Sequence, residues 1–175
     1  MYEGTAFGLM GCALLLTTKL LRAKVVFCGS KMVIIAPYQA QCKLLNMAKA
    51  LFHQADPDLS LEHVQIIKID KYQGDQNQIT ICDMVVCREL GFMRSPPRIN
   101  VMISRSQAGL YIIGNAGQIE KNKDRSGRTV KALINYTEEH RWVWTIYGRE
   151  IHALLRTGLM LRRHHMVAEP RCVNA

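Results

Sequence analysis

The sequence predicts an α/β domain with a mainly parallel sheet, followed by a poorly defined C-terminal extension. Three observations carry this. Apolar runs such as M-V-I-I-A at 32–36 and L-Y-I-I-G at 110–114 are near-continuous rather than alternating, as expected of strands covered on both faces. These runs alternate with stretches of helical periodicity, the pattern of βα units. After about Glu120 the alternation gives way to a polar, basic stretch, K-N-K-D-R-S-G-R, at 121–128.

Taken in order, residues 5–23 predict a helix. Leu9, Ala13, Leu16 and Leu20 recur at helical spacing, and Lys19, Arg22 and Lys24 cluster at its end, where cations complement the helix dipole. Gly8 and Gly11 weaken the pattern. The stretch is apolar enough to resemble a signal-peptide core, but Glu3 rather than a basic residue precedes it. It is also too short and glycine-bearing to span a bilayer. The run 32–36 follows Gly29 and Ser30 and stops at Pro37, so it reads as a buried strand. Residues 39–54 predict a second helix, with Leu44, Leu45, Ala48 and Leu51 sharing a face. Residues 56–60 form a polar, proline-bearing loop. Strands are expected at 64–69, 79–87 and 110–114, and a helix at 98–106. A parallel sheet presents ligands at the carboxyl ends of its strands, where Pro37, Tyr72 to Asp75 and Asn115 are expected to lie.

Residues 129–139 are expected to be helical, whereas 142–175 show no clear period. Trp142, Trp144, Arg162, Arg163, His164 and His165 more often mix core aromatics with a solvated face than build a strand-binding surface. The domains expected are 1–120, compact, and 121–175, a basic linker and extension.

Of 175 residues, 49% are hydrophobic and 21% charged, which excludes a disordered chain. The net charge of +9 and pI near 9.5 favour phosphate-bearing partners through Coulomb attraction and counterion release. They equally suit a basic protein without such partners. Six cysteines occur without a C-x-x-C pair. No zinc or other metal site is expected, and a reducing compartment, cytoplasmic or nuclear, fits. No run reaches transmembrane length, so no membrane partner is expected.

Three segments carry chemistry. The first is Ile34-Ile35-Ala36-Pro37-Tyr38-Gln39-Ala40-Gln41. The second is Ile69-Asp70-Lys71-Tyr72-Gln73-Gly74-Asp75-Gln76 with the strand after it. The third is Arg98-Ile99-Asn100-Val101-Met102-Ile103-Ser104-Arg105, followed by Gly109-Leu110-Tyr111-Ile112-Ile113-Gly114-Asn115. In this order and spacing they resemble superfamily 1 helicases of the nonsense-mediated-decay and zinc-finger type, whose motifs run I-I-T-P-Y-x-x-Q, V-D-x-F-Q-G-x-E and R-x-N-V-A-x-[TS]-R. The resemblance covers about residues 1–120. It implies the C-terminal RecA-like, three-layer motor domain of an ATP-dependent nucleic-acid helicase.

In such a motor ATP lies between two RecA-like domains. The resemblance implies Arg105 as the catalytic arginine finger, because a planar, permanently charged guanidinium suits the charge spreading over a transferring phosphoryl group. It implies Gln73, Gly74, Gln76, Arg98 and Arg105 at the nucleotide. Pro37, Tyr38, Gln41, Lys68 and Lys71 are implied at single-stranded RNA or DNA. The bare residues also allow ordinary roles: a turn at Gln73–Gly74, a surface arginine at 105, packing for Tyr38 and Gln41. Asp83, inside an apolar strand, is expected to bond buried neighbours rather than to catalyse.

Four positions depart from the family pattern. Gln76 stands where an acidic residue is usual, Lys68 replaces a hydroxyl residue, Gln107 a basic one, and Pro97 a frequent arginine. No G-x-x-x-x-G-K-[ST] phosphate loop and no acidic magnesium motif occur in the 175 residues. ATP and Mg2+ are therefore expected only with an N-terminal RecA-like domain, in cis or in trans, and the chain alone is expected to be inactive. A non-catalytic binding module derived from a helicase, or an unstable remnant, are the alternative expectations.

Overall fold

The computed structural model describes residues 6–23, 31–72, 74–84, 91–115 and 128–141. Trp142, Trp144 and the basic cluster 162–165 lie outside them. The described elements are α1 (Ala6–Arg22), β1 (Met32–Ala36), α2 (Gln39–Ala55), β2 (Gln65–Lys68), β3 (Asn77–Asp83), α3 (Pro96–Ile103), β4 (Ser106–Ile113) and α4 (Arg128–Glu139). Short 3-10 turns join several of them.

The four strands form one sheet in the order β2-β1-β3-β4, and every pairing is parallel. The expectation of a parallel α/β layer holds for the reason given by sequence. All five residues of β1 are buried, so both faces of the central strand must be covered. On one face Met32, Ile34, Ile79 and Ile81 pack with Ala13, Leu14, Leu20 and Leu21 of α1 and Leu45 of α2. On the other, Val33, Ile35 and Cys82 pack with Ile99 and Met102 of α3 and Val130 of α4. Three layers result. Fully burying a Leu or Ile side chain contributes about 1.5–3 kcal/mol, so these two clusters hold the sandwich together.

Polar groups inside the layers are mostly satisfied. The Thr17 hydroxyl, on the buried face of α1, donates to the Ala13 carbonyl at 2.8 Å. Lys49 of α2, partly buried, donates its ammonium to the Val64 carbonyl at 2.9 Å. Arg22 ties the end of α1 to Asp56 past the end of α2 at 2.7 Å. The Thr80 hydroxyl, fully buried in the central sheet, has no hydrogen-bond partner.

Two expectations are modified. The four residues expected on one face of α2 are split: Leu45 is fully buried, whereas Leu44 is 37% and Leu51 66% exposed, beside Met47 at 67%. Successive helix residues turn by about 100°, so Leu44 and Leu45 cannot both face the sheet. The inner stripe is Gln41, Leu45, Ala48 and Phe52. The fourth strand starts at Ser106, not 110, because Ser106 pairs in register with Asn77, the first residue of β3. That start confines the preceding helix to Pro96–Ile103. Within the segment read as linker and extension, α4 carries the fully buried Val130 against the α3 side of the sheet.

Candidate functional site: two edges of one sheet

The connection from β2 to β3 shapes the site. Lys68 pairs with Ala36 at the carboxyl end of β1, and Asn77 begins β3 at the opposite, amino edge. Residues 69–76 must therefore return the length of the sheet. About six strand residues, roughly 20 Å, are covered, which eight residues can span without a helix. The return begins with a 3-10 turn, Ile69–Lys71, and Tyr72 after it is buried against the α3 side. Asn77 donates its side-chain amide to the Tyr72 hydroxyl at 3.2 Å. Tyr72 thus covers the sheet where a crossover helix would otherwise lie. Sequence placed Tyr72 to Asp75 together at the carboxyl ends; the fold carries Asp75 to the amino edge.

At the amino edge, Arg105 sits between α3 and β4. Its carbonyl accepts the Asn77 N–H at 3.0 Å. Its guanidinium donates from Nε to the Val101 carbonyl at 3.0 Å, from Nη1 to the Asp75 carbonyl at 3.3 Å and from Nη2 to the Ser104 hydroxyl at 3.2 Å. All three acceptors are neutral, and no carboxylate among the described residues pairs with it. The side chain is only partly buried. It is held in direction while its positive charge stays uncompensated. Gly74 lies nearby in the chain with φ +87° and open space where a Cβ would stand; glycine adopts this conformation without strain. Gln107 donates to Gln76 Oε1 at 3.5 Å, so the two departures from the acidic and basic pattern are neighbours. Gln73 lies outside the described residues.

At the carboxyl edge, charges are matched. Asp70 takes Lys68 Nζ on Oδ2 at 2.9 Å and Arg98 Nε on Oδ1 at 3.2 Å. The hydrogen bond from Lys68, the largest effect, and after it the charge and hydrogen bond of Arg98 hold the Asp70 carboxyl below the usual aspartate range against an opposing desolvation. Beside this pair is a depression of about 330 Å³ lined by Ile69, Asp70, Ser95, Pro97, Arg98 and Val101. Lys71 is exposed. Tyr38 is 39% exposed at the start of α2, its hydroxyl so close to Gly91 that a Cβ there would lie 2.7 Å away.

The crevice between β1 and β3 is where the strand order reverses, the usual ligand-binding point of an open α/β sheet. Here it is filled from within. Gln41 is 4% and Asp83 1% exposed, and Gln41 Nε2 donates to Asp83 Oδ2 at 2.9 Å. Pro37 is buried as well. Burial raises the thiol pKa of three neighbours of Asp83, and the carboxylate adds to the effect in each: Cys12 is pushed up to about 11, and Cys82 and Cys42 move in the same direction. These thiols stay protonated, as the apolar runs around them imply. Among the described residues no three His, Cys, Asp or Glu converge as metal ligands, and no helix is long and apolar enough to cross a membrane.

Of the implied nucleotide residues, the structure brings Gly74, Gln76 and Arg105 to the amino edge and leaves Arg98 at the other end of α3. Of the implied nucleic-acid residues, it groups Pro37, Tyr38, Gln41, Lys68 and Lys71 around the carboxyl edge, with Pro37 and Gln41 turned inward. Sequence gave no role to the Asp70 clamp, because a link between residues 28 apart leaves no local signal.

A three-layer sheet of parallel strands with these motifs along its two edges has the architecture of a RecA-like domain. A family model described as an AAA domain matches residues 11–117. The chain belongs to that family, the C-terminal RecA-like domain of superfamily 1 helicases of the NAM7 type. It is 28% identical over 108 residues to an uncharacterized ATP-dependent helicase of Methanocaldococcus jannaschii, covering 62% of this chain and 15% of that protein. It is 30% identical over 92 residues to the ATP-dependent helicase NAM7 of Saccharomyces cerevisiae, covering 51% and 9%. It is 33% identical over 91 residues to the 5'-3' DNA helicase ZGRF1 of Mus musculus, covering 51% and 5%. The chain thus spans about a seventh or less of these relatives.

Proposed function

We propose that this chain acts as the C-terminal motor half of an ATP-dependent superfamily 1 nucleic-acid helicase. Arg105 is the arginine finger, directed at the terminal phosphate of an ATP held mainly by an N-terminal RecA-like domain. Gly74 and Gln76 flank the nucleotide on the same edge. Lys68, Lys71 and Tyr38 meet the single strand on the other, with Gln41 and Pro37 shaping that edge from beneath. The observation that carries this reading is the Arg105 guanidinium, fixed by three neutral oxygens and, among the described residues, paired with no carboxylate. An ion-paired arginine would have to give up its partner before meeting a phosphate; this one keeps its charge for the transition state.

Magnesium and the phosphate loop belong, on this reading, to the other domain. The test is reconstitution with a matched first RecA-like domain, followed by ATPase assay with and without single-stranded RNA and DNA. Arg105→Ala is expected to abolish strand-stimulated turnover. Turnover equal to wild type removes Arg105 from the mechanism.

A second reading has its own support. The stripe Leu44, Met47 and Leu51 on α2 leaves large apolar side chains in water, and the chain carries a charge of +9. Both suit a non-catalytic module that binds nucleic acid or protein without ATP. Binding of single strands that falls steeply with salt and ignores nucleotide favours it.

A further inference from the structure

Two arginines bracket α3. Arg98, in its first turn, donates to Asp70. Arg105, just past its last residue, folds back onto the Val101 carbonyl and reaches the Asp75 carbonyl. Asp70 and Asp75 belong to the same return segment, 69–76. The segment is therefore fastened to α3 at both ends, with the buried ring of Tyr72 between the fastenings.

Helix α3 depends on such fastening. It has eight residues, too few to persist in water without tertiary contacts. It opens on Pro96-Pro97, which bring no N–H, and Ser95 gives no side-chain cap. Ile99 and Met102 fix which face turns inward, and towards the far end of the helix the Cys82 thiol donates to the Met102 carbonyl at 3.7 Å. The first turn is tied to the return segment by the side-chain contact of Arg98 with Asp70. Asp70 also suits the positive end of the helix dipole.

We propose that Asp70 is a positioning residue for Arg105, acting through α3. By holding Arg98 it sets the helix along its axis. The helix then delivers the Arg105 guanidinium about 10 Å away, at 1.5 Å per residue. Lys68 occupies the second oxygen of the same carboxylate, so an anion at the carboxyl edge that draws Lys68 away alters the hold on Arg98. The two edges of the sheet are coupled through one short helix. The functional weight of this coupling rests on the reading of Arg105 given above, whereas the coupling itself is a property of this chain alone.

The test is NMR of the arginine Nε–H groups in the full 175-residue chain. The variants are Asp70→Asn, Asp70→Glu and Arg98→Gln, with Asp56→Asn, which removes the charge of the Arg22 ion pair instead, as control. Asp70→Asn and Arg98→Gln are expected to shift the Arg105 Nε–H resonance and to speed its exchange with water several-fold. Asp70→Glu should restore most of the wild-type signal, and Asp56→Asn should leave Arg105 unmoved. An Arg105 resonance that stays in place in either folded variant overturns the coupling while leaving the arginine-finger reading intact. If Asp70→Asn fails to melt cooperatively, Arg98→Gln, which removes the other partner of the same contact, decides the matter. Conversely, an Arg105→Ala helicase with full turnover would remove the finger and leave the coupling standing.

Discussion

The two edges of the sheet treat charge in opposite ways. At the amino edge Arg105 is surrounded by neutral oxygens and keeps its charge. At the carboxyl edge the Asp70 carboxylate accepts both Lys68 and Arg98, and the buried Asp83 accepts Gln41. A polar group that the fold has already satisfied contributes to stability and specificity of the fold. A charged group without an opposite charge beside it among the described residues adds no ion pair to that stability. The difference sets Arg105, which meets only neutral oxygens among the described residues, apart from Lys68, Asp70 and Arg98, which pair with one another.

The largest expected effect breaks this contrast outright. In a reconstituted two-domain protein, Arg105→Ala should lower turnover about 10³–10⁵-fold while the midpoint of thermal melting moves little. A large loss of stability with modest loss of turnover would make Arg105 a structural residue like those of the opposite edge. Next, Asp83→Ala should destabilise the chain by about 1–3 kcal/mol, because it leaves the Gln41 amide buried without an acceptor. Urea denaturation measures this, and the double variant with Gln41→Ala should cost less than the two single losses added. An additive result would mean that the two side chains do not share one interaction.

A smaller effect of opposite sign is expected in the sheet between the edges. Thr80→Val removes a buried hydroxyl without a partner and should raise stability by up to about 1 kcal/mol. A lower melting temperature would show that the hydroxyl has an acceptor after all. The smallest effect concerns pH. The folded pKa of Asp70 is lowered by Lys68 and Arg98, so its contribution is present above the unfolded value of about 3.9 and is lost as pH falls through the folded one. The melting difference between wild type and Asp70→Asn should therefore be seen at neutral pH and disappear in strong acid. Being largely exposed, this group should move the melting point only slightly.

How far the sequence was legible varies by element. The parallel sheet could be read because β1, M-V-I-I-A, is apolar at every position, which only a strand covered on both faces tolerates. Helix α2 could be read as a helix but not oriented, since Leu44 and Leu45 are equally apolar and the period does not say which leucine meets the sheet. The start of β4 at Ser106 was hidden because S-Q-A-G carries no apolar signal; its strand character comes from pairing with Asn77 and Ile79. Arg105 stood out only through the motif around it, and nothing in its neighbours' identities announced that its acceptors would all be neutral.

Composition and periodicity by themselves determined that this chain forms alternating strands and helices with two buried faces, because burial on both sides of a strand writes itself into every residue of that strand. The tertiary structure alone decided which edge each motif reaches. Strand order fixes the path from Lys68 to Asn77, and that path, set by pairings between residues distant in the chain, carries Asp75 away from Asp70 and brings it to Arg105.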